Sequence, residues 1–156
     1  MIASVRSMQE SLDLNESERN FKDHVRRHAA EARLRYGLYI DADVIVRMLS
    51  DPKIVRYATA LDFDGGRLEP GEFAWAEQVG DDPSDGFRLH VHPCFSSQQE
   101  IWPLLIAYHI PSINYGEIVT PEHAELYGAT LLGLDGETYY RALCELVDSI
   151  PQESSL

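Results

Sequence analysis

Three side chains that could bind a metal or act in catalysis lie close together between Phe87 and Phe95, in the sequence FRLHVHPCF. His90 and His92 are separated by one residue, and Cys94 follows His92 at the same spacing. In an extended strand, residues two apart project to the same side, roughly 6.5–7 Å from each other. Two imidazoles at that spacing can reach one divalent transition metal such as zinc, with further ligands from elsewhere. One interpretation is therefore a metal site at these three residues.

Two other interpretations fit the same stretch. His90 and His92 could act as acid–base catalysts without a metal. They could also lie on the solvent face of a hairpin whose strand ends at Pro93. The spacing along the chain leaves this choice open, because catalytic groups assemble in space. The residues that could complete a metal or catalytic site from elsewhere are His109, His123, Glu72 and Glu117.

A second histidine pair, His24 and His28, has helical spacing. Residues four apart lie on one face of a helix, so this pair could also chelate an ion. His28 borders the stripe of apolar residues that the helix is expected to bury. A partly buried histidine is therefore the other interpretation of this position.

Helices are predicted at the N-terminal end of the chain. Apolar residues at helical spacing predict a short amphipathic helix near 3–14. Asn15 can cap a second helix that ends at Gly37, a residue suited to the left-handed conformation. Asp41 can cap a third, and Pro52 is expected to start a further helix through KIVRYATA.

Helices are predicted in the C-terminal part as well. Pro103 implies that the helix in IWPLLIAYHI either starts late or bends. Thr120 followed by Pro121 is a strong start signal. This helix should end at Gly133, and Asp135 can cap the last one.

The middle of the chain predicts strands. Residues at about 59–92 alternate in polarity and are interrupted by Gly, Pro and Asp, which favours an antiparallel β-meander. SINYGEIV predicts a further strand near 112–119. The alternation places Trp75, and with it Glu77, on the apolar side of the sheet, and puts Arg88, His90 and His92 on the polar side.

These elements predict an α+β fold with a single domain. The domain is expected to span 16–150, with the small meander packed against N-terminal and C-terminal helices. Residues 1–15 would form an arm or short amphipathic helix, and residues 151–156 a polar tail. No internal repeat or linker divides the chain.

Composition limits the possible functions. The 156 residues are 44% apolar and carry a net charge of −13, with seven basic and six acidic side chains in residues 1–35. The remaining six basic and twenty acidic side chains repel phosphate, which disfavours binding to nucleic acid or to an anionic membrane. No apolar run approaches a membrane span, no secretion signal is evident, and two cysteines make no disulfide framework. A cytoplasmic location is expected.

Residues 129–143 resemble a helix-turn-helix, which would imply a DNA-binding regulator. Only Arg141 supplies positive charge between 121 and 149, where six side chains are acidic. A recognition helix normally contacts phosphates, so this charge disfavours the DNA-binding interpretation.

The leading expectation is a small acidic protein that acts by binding another protein or a second copy of itself. The charge asymmetry, the amphipathic N-terminal segment and the lack of a complete catalytic motif support it. The alternative is a metal-dependent or His-dependent enzyme, hydrolase-like, centred on His90 and His92.

Overall fold

A computed structural model describes the backbone of residues 2–151 and the side chains of residues 8–151. Within this range the chain forms five α-helices and one three-stranded sheet, which confirms the α+β fold with a single domain. The helices are α1 (Ile2–Tyr36), α2 (Ala42–Met48), α3 (Trp102–Tyr115), α4 (Pro121–Leu132) and α5 (Gly136–Ser149). The strands are β1 (Thr59–Asp62), β2 (Ala74–Gln78) and β3 (Phe87–Val91). None of the helices described is both long and apolar enough to cross a membrane.

The prediction of two separate N-terminal helices, with the second capped by Asn15, is wrong. α1 runs without interruption from Ile2 to Tyr36, because no glycine or proline lies between these residues. The expected helix near 3–14 and the expected helix ending at Gly37 are therefore one element. Apart from Pro151, the predicted polar tail at 151–156 lies outside the described residues.

The sheet has the strand order β1-β3-β2 and is mixed, so the prediction of a purely antiparallel meander is wrong. β2 and β3 form an antiparallel hairpin, whereas β1 pairs with β3 in parallel. The connection from β1 to β2 therefore has to pass the end of β3. Gly65 lies in this connection, at a point where an added Cβ would stand 2.6 Å from Pro93 Cδ. A side chain at this position would block the close approach.

The predicted strand near 112–119 is also wrong, because the segment continues α3 and then forms a 3₁₀ turn at Gly116–Ile118. Asn114 explains why the helix persists here. Its buried amide donates to the carbonyl of Ile54 at 3.0 Å and accepts from the backbone N–H of Arg56 at 2.7 Å. These bonds hold α3 against residues 54–56, which form turns rather than the predicted helix after Pro52.

The predicted helix ends in the remaining parts of the chain are confirmed. Asp41 accepts a hydrogen bond from the Val44 N–H, and Asp135 accepts one from the Thr138 N–H. Thr120 caps α4 ahead of Pro121, and Gly133 ends it in the left-handed conformation. α3 starts late, so that Pro103 falls in its first turn.

The core lies between the sheet and the helices. Leu89 and Val91 of β3 are fully buried and meet the helical side chains of one continuous cluster. α3 and α4 form its centre, with α1 docked on α4. At the contact of α4 with α5, the ring of Tyr139 occupies the place that a Cβ on Gly128 would need. Tyr139 then donates to the carbonyl of Leu104 at 2.6 Å.

Candidate functional site

The histidines singled out from the sequence do not converge on one centre. His90 lies in the sheet and His92 follows its end, whereas His109 belongs to α3 and His123 to α4. Across residues 8–151, no group of three or more His, Cys, Asp or Glu side chains is arranged to hold a metal ion. The metal site predicted at His90, His92 and Cys94 therefore gains no third ligand from this geometry and stays a prediction.

His90 is held by a specific set of neighbours. Its Nε2 lies 3.1 Å from Glu77 Oε1, and the second oxygen of Glu77 lies 3.3 Å from an Arg67 guanidinium nitrogen. The Trp75 indole stacks on the imidazole, with ring centroids 5.8 Å apart. Only 4% of His90 is exposed. The Glu77 carboxylate can orient the His90 imidazole, as a carboxylate orients a histidine that acts as a general base. However, Glu77 already forms an ion pair with Arg67.

The face of the sheet that carries His90 differs from the prediction. Trp75 is directly opposite His90 in the β2–β3 register, and Glu77 is opposite Arg88, so all four share one face. The inner positions of β2 are instead Ala74 and Ala76. The predicted apolar position of Trp75 and Glu77 is therefore wrong, and the expectation of a solvent-facing His90 is wrong too. The large indole covers the histidine from the solvent side.

His92 and Cys94 are used locally. β3 ends at Val91, and His92 caps the short 3₁₀ turn Pro93–Phe95, where its Nδ1 accepts a hydrogen bond from the Cys94 N–H at 3.1 Å. Burial raises the pKa of the Cys94 thiol, which favours its neutral form. The two residues thus contribute to ending the strand.

His109 and His123 are enclosed by helices. Burial lowers the pKa of His109 to about 4, and its ring packs edge-on against Phe73. His123 Nδ1 accepts from the Thr120 N–H at 3.0 Å, and its ring packs edge-on against Phe21 at 4.7 Å. Within the described part of the chain, Nε2 of both rings is buried without a hydrogen-bond partner. His109 therefore packs against the residue that precedes β2, whereas His123 caps the start of α4.

The helical histidine pair lines an open cleft beside α1. The rings of His24 and His28 are parallel, with centroids 6.2 Å apart. His24 Nε2 lies 2.8 Å from the hydroxyl of Tyr115, and His28 Nε2 lies 3.3 Å from the carbonyl oxygen of Lys53. The spacing of four residues correctly places the two rings side by side. It gives no information about the residues that face them.

The cleft has a volume of about 250 Å³ and lies between α1, the turns after α2 and the end of α3. Two basic side chains, two histidines and a tyrosine contribute to its lining. The lining residues are His24, His28, Pro52, Lys53, Ile54, Arg56, Asn114 and Tyr115. No carboxylate is among them. Sequence reasoning missed this site because Lys53 and Arg56 were expected on a helix of their own.

A second pocket, of about 240 Å³, has the opposite character. Aromatic and aliphatic side chains form its walls, and Glu125 and Asp148 are its carboxylates. Burial, followed by the neighbouring Glu122, raises the pKa of Glu125. Its remaining lining residues are Phe73, Tyr108, Tyr140, Leu143, Cys144 and Val147. Carboxylates and aromatic rings without a base would suit a cation rather than an anion.

Comparison with known proteins identifies no relative of this chain. No family model, curated protein or solved structure matches it.

Proposed function

We propose that this chain is a cytoplasmic binding protein that associates with a second copy of itself through α1. The observation that carries the proposal is the exposure of the first half of this helix. Every side chain from Met8 to Asn20 is exposed, although the backbone stays helical. A helical segment without tertiary contacts is only marginally stable in water, so a partner surface would stabilise it.

The exposed half carries large apolar side chains that no other side chain of residues 8–151 covers. Met8 is 65% exposed and Leu12 is 60% exposed. They are four residues apart and therefore lie on one face of α1. Further along that face, on the half that is docked to the body, Leu34 is 82% exposed and Ala30 is partly exposed. We call this face, from Met8 to Leu34, the outer stripe of α1.

The outer stripe points away from the rest of the domain. The side chains by which α1 docks on the body are Val25, Ala29 and Ala32, all of them buried. At about 100° per residue, these positions lie about 100–180° around the helix from Leu12 and Leu34. A second helix could therefore pack along the outer stripe without meeting the body of its own chain.

The charges on α1 favour an antiparallel arrangement of two copies. Residues 8–18 contain four carboxylates and no basic side chain, whereas residues 19–35 contain six basic and two acidic side chains. An antiparallel pair places the acidic half of each helix against the basic half of the other. A parallel pair would place like charges together, which is unfavourable.

The stripe is also self-complementary in its detailed register. With the twofold axis near residue 21, Met8 lies opposite Leu34 and Leu12 lies opposite Ala30 of the other copy. The same register brings Glu16 opposite Arg26, and Arg19 opposite Asp23. Apolar contacts at both ends would then flank paired charges in the middle. Such polar central positions fix the register of helix pairs.

Disulfide trapping tests this arrangement directly. Cys94 and Cys144 are replaced by serine to remove the native thiols, and Leu12→Cys and Ala30→Cys are introduced together or singly. Antiparallel pairing predicts that the double variant forms an intermolecular disulfide upon mild oxidation, because position 12 meets position 30. Each single variant should remain largely uncrosslinked. Crosslinking of the single variants instead would contradict the antiparallel register.

Light scattering tests the association itself. The parent is expected at twice the monomer mass, and Leu12→Asp is expected at the monomer mass, since a charge replaces an apolar contact. Val79→Asp is the matched control, because Val79 is 58% exposed and directly follows β2, where its N–H donates to the Gly86 carbonyl. A monomeric parent at micromolar concentration would overturn the proposal. An equal effect of both substitutions would show a general response to charge.

The enzyme alternative rests on one contact, that of His90 with Glu77. Elemental analysis of the untagged protein tests its metal-dependent form, beside a His90→Ala/His92→Ala variant. Near-stoichiometric zinc or another transition metal, lost in the variant, would favour this alternative. The DNA-binding alternative predicts retention on heparin at physiological salt; Arg141, its expected cation, already contacts Glu137 at 2.9 Å.

A further inference from the structure

The basic cleft beside α1 is an exception in a strongly acidic body. Of the six basic side chains beyond residue 35, three form ion pairs, namely those of Arg67, Arg88 and Arg141. Lys53 and Arg56 both line the cleft. In the part of the chain with described side chains, neither forms an ion pair with a carboxylate.

Asp51, the acidic residue nearest to Lys53 along the chain, already forms contacts with other side chains. Asp51 accepts a hydrogen bond from the Tyr36 hydroxyl at 2.6 Å and lies 3.4 Å from Arg35 Nε. Its other oxygen accepts from the backbone N–H of Lys53 at 2.9 Å. Asp51 does not line the cleft, so its carboxylate leaves the cleft's positive charge uncompensated.

The other polar groups that line the cleft contact neighbouring protein atoms or are buried. His28 Nε2 faces the carbonyl oxygen of Lys53 and therefore carries a proton that it donates to this oxygen. Within the described residues, Nδ1 is buried and has no partner. The Tyr115 hydroxyl contacts His24 Nε2 at 2.8 Å. The cleft thus offers an anion the N–H donors of Lys53 and Arg56, which are also its two fixed positive charges.

From this arrangement we infer that the cleft binds a small phosphate monoester. A phosphate carries close to two negative charges and three acceptor oxygens, which suit an ammonium and a guanidinium group together. The volume of about 250 Å³ exceeds what the phosphate alone would fill. The exposed ring of Pro52 and the half-buried ring of Tyr115 supply a place for an apolar or aromatic ester group. The site is independent of the outer stripe of α1.

Calorimetric titration with phenyl phosphate tests this inference on the full chain. Inorganic phosphate shows what the anion alone contributes, and phenol shows what the ring alone contributes. Phenyl phosphate is expected to bind at least tenfold more tightly than inorganic phosphate, and phenol is expected not to bind. Absence of phenyl phosphate binding at millimolar concentration would overturn the inference. Equal affinity for both phosphates would overturn the assignment of a monoester.

Charge substitutions locate the site. Lys53→Gln and Arg56→Gln are each expected to weaken phenyl phosphate binding at least tenfold, and Lys53→Arg is expected to retain most of it. Arg47→Gln is the matched control, because it removes the same charge from an exposed position on α2 outside the cleft. A similar loss in the control would show attraction to positive charge in general and would contradict a built site. Circular dichroism confirms that each variant is folded.

Discussion

The two histidine pairs of this protein have opposite surroundings. In the sheet, His90 is stacked under Trp75 and paired with Glu77, whose second oxygen meets Arg67. Beside α1, His24 and His28 line a cleft with two cations that have no carboxylate partner in the described chain. The first cluster balances its charges internally, and the second does not.

This difference separates a structural role from a binding role. A charged group whose neighbours already compensate it has little to gain from a ligand, and its loss mainly costs stability. An uncompensated cation at an open cleft costs the fold little and attracts an anion. Ligand responses should therefore follow the cleft, and stability losses should follow the buried histidines.

The largest expected effect belongs to His109, a histidine with neither a charged partner nor a place in the cleft. Burial lowers its pKa to about 4, against about 6.5 in the unfolded chain. As the pH falls below 6.5, the unfolded state binds a proton that the folded state refuses, so stability is lost on acidification. The loss attributable to this residue should reach about 2 kcal/mol by about pH 5.

Urea unfolding of the parent and of His109→Phe, near neutral pH and near pH 5, measures this contribution. The parent should lose about 2 kcal/mol more than the variant between the two conditions. His24→Gln serves as the control, because its ring is exposed. An identical pH dependence of the parent and His109→Phe would show that His109 titrates normally.

The next effect tests whether His90 is the structural member of the strand pair. His90→Ala removes the stack on Trp75 and leaves Glu77 with Arg67 alone, which should lower the free energy of unfolding by about 1–2 kcal/mol. His92→Ala removes one cap of a short turn and should cost about 0.5–1 kcal/mol. Chemical denaturation gives both values. A larger cost at His92 would reverse the assignment.

Features that depend on neighbouring residues could be predicted from the sequence, whereas features that depend on contacts between distant residues could not. Helix ends at Asp41, Thr120, Gly133 and Asp135 follow from side chains that bond their own nearest backbone, so they were predicted correctly. The segment at 112–119 failed for the opposite reason. The contacts of Asn114 with residues 54 and 56 keep it helical, and no local pattern contains them.

The sites show the same division. Spacing alone correctly places His24 beside His28, because both belong to one helix. The position of β3 between β1 and β2 depends on a connection that passes close to Pro93. No local sequence pattern near β1 indicates this strand order. The side of the sheet on which Trp75 and Glu77 lie was misjudged because the core contact of β2 is made by two alanines, whereas the bulky indole lies outside.

The smallest expected change in stability is at His24, and it gives the clearest separation of the two pairs. His24→Gln alters an exposed side chain, so without ligand the free energy of unfolding should stay within about 0.5 kcal/mol of the parent. At ten times its Kd, a ligand that binds only the folded state stabilises it by about 1.4 kcal/mol, which raises Tm. With phenyl phosphate at a fixed concentration, this rise should shrink in His24→Gln and persist in Arg67→Gln, which alters the compensated cluster instead. Thermal unfolding followed by circular dichroism measures the Tm of each variant with and without phenyl phosphate. An equal loss of the ligand-induced rise in Tm in His24→Gln and Arg67→Gln would contradict the proposed difference between the two histidine pairs.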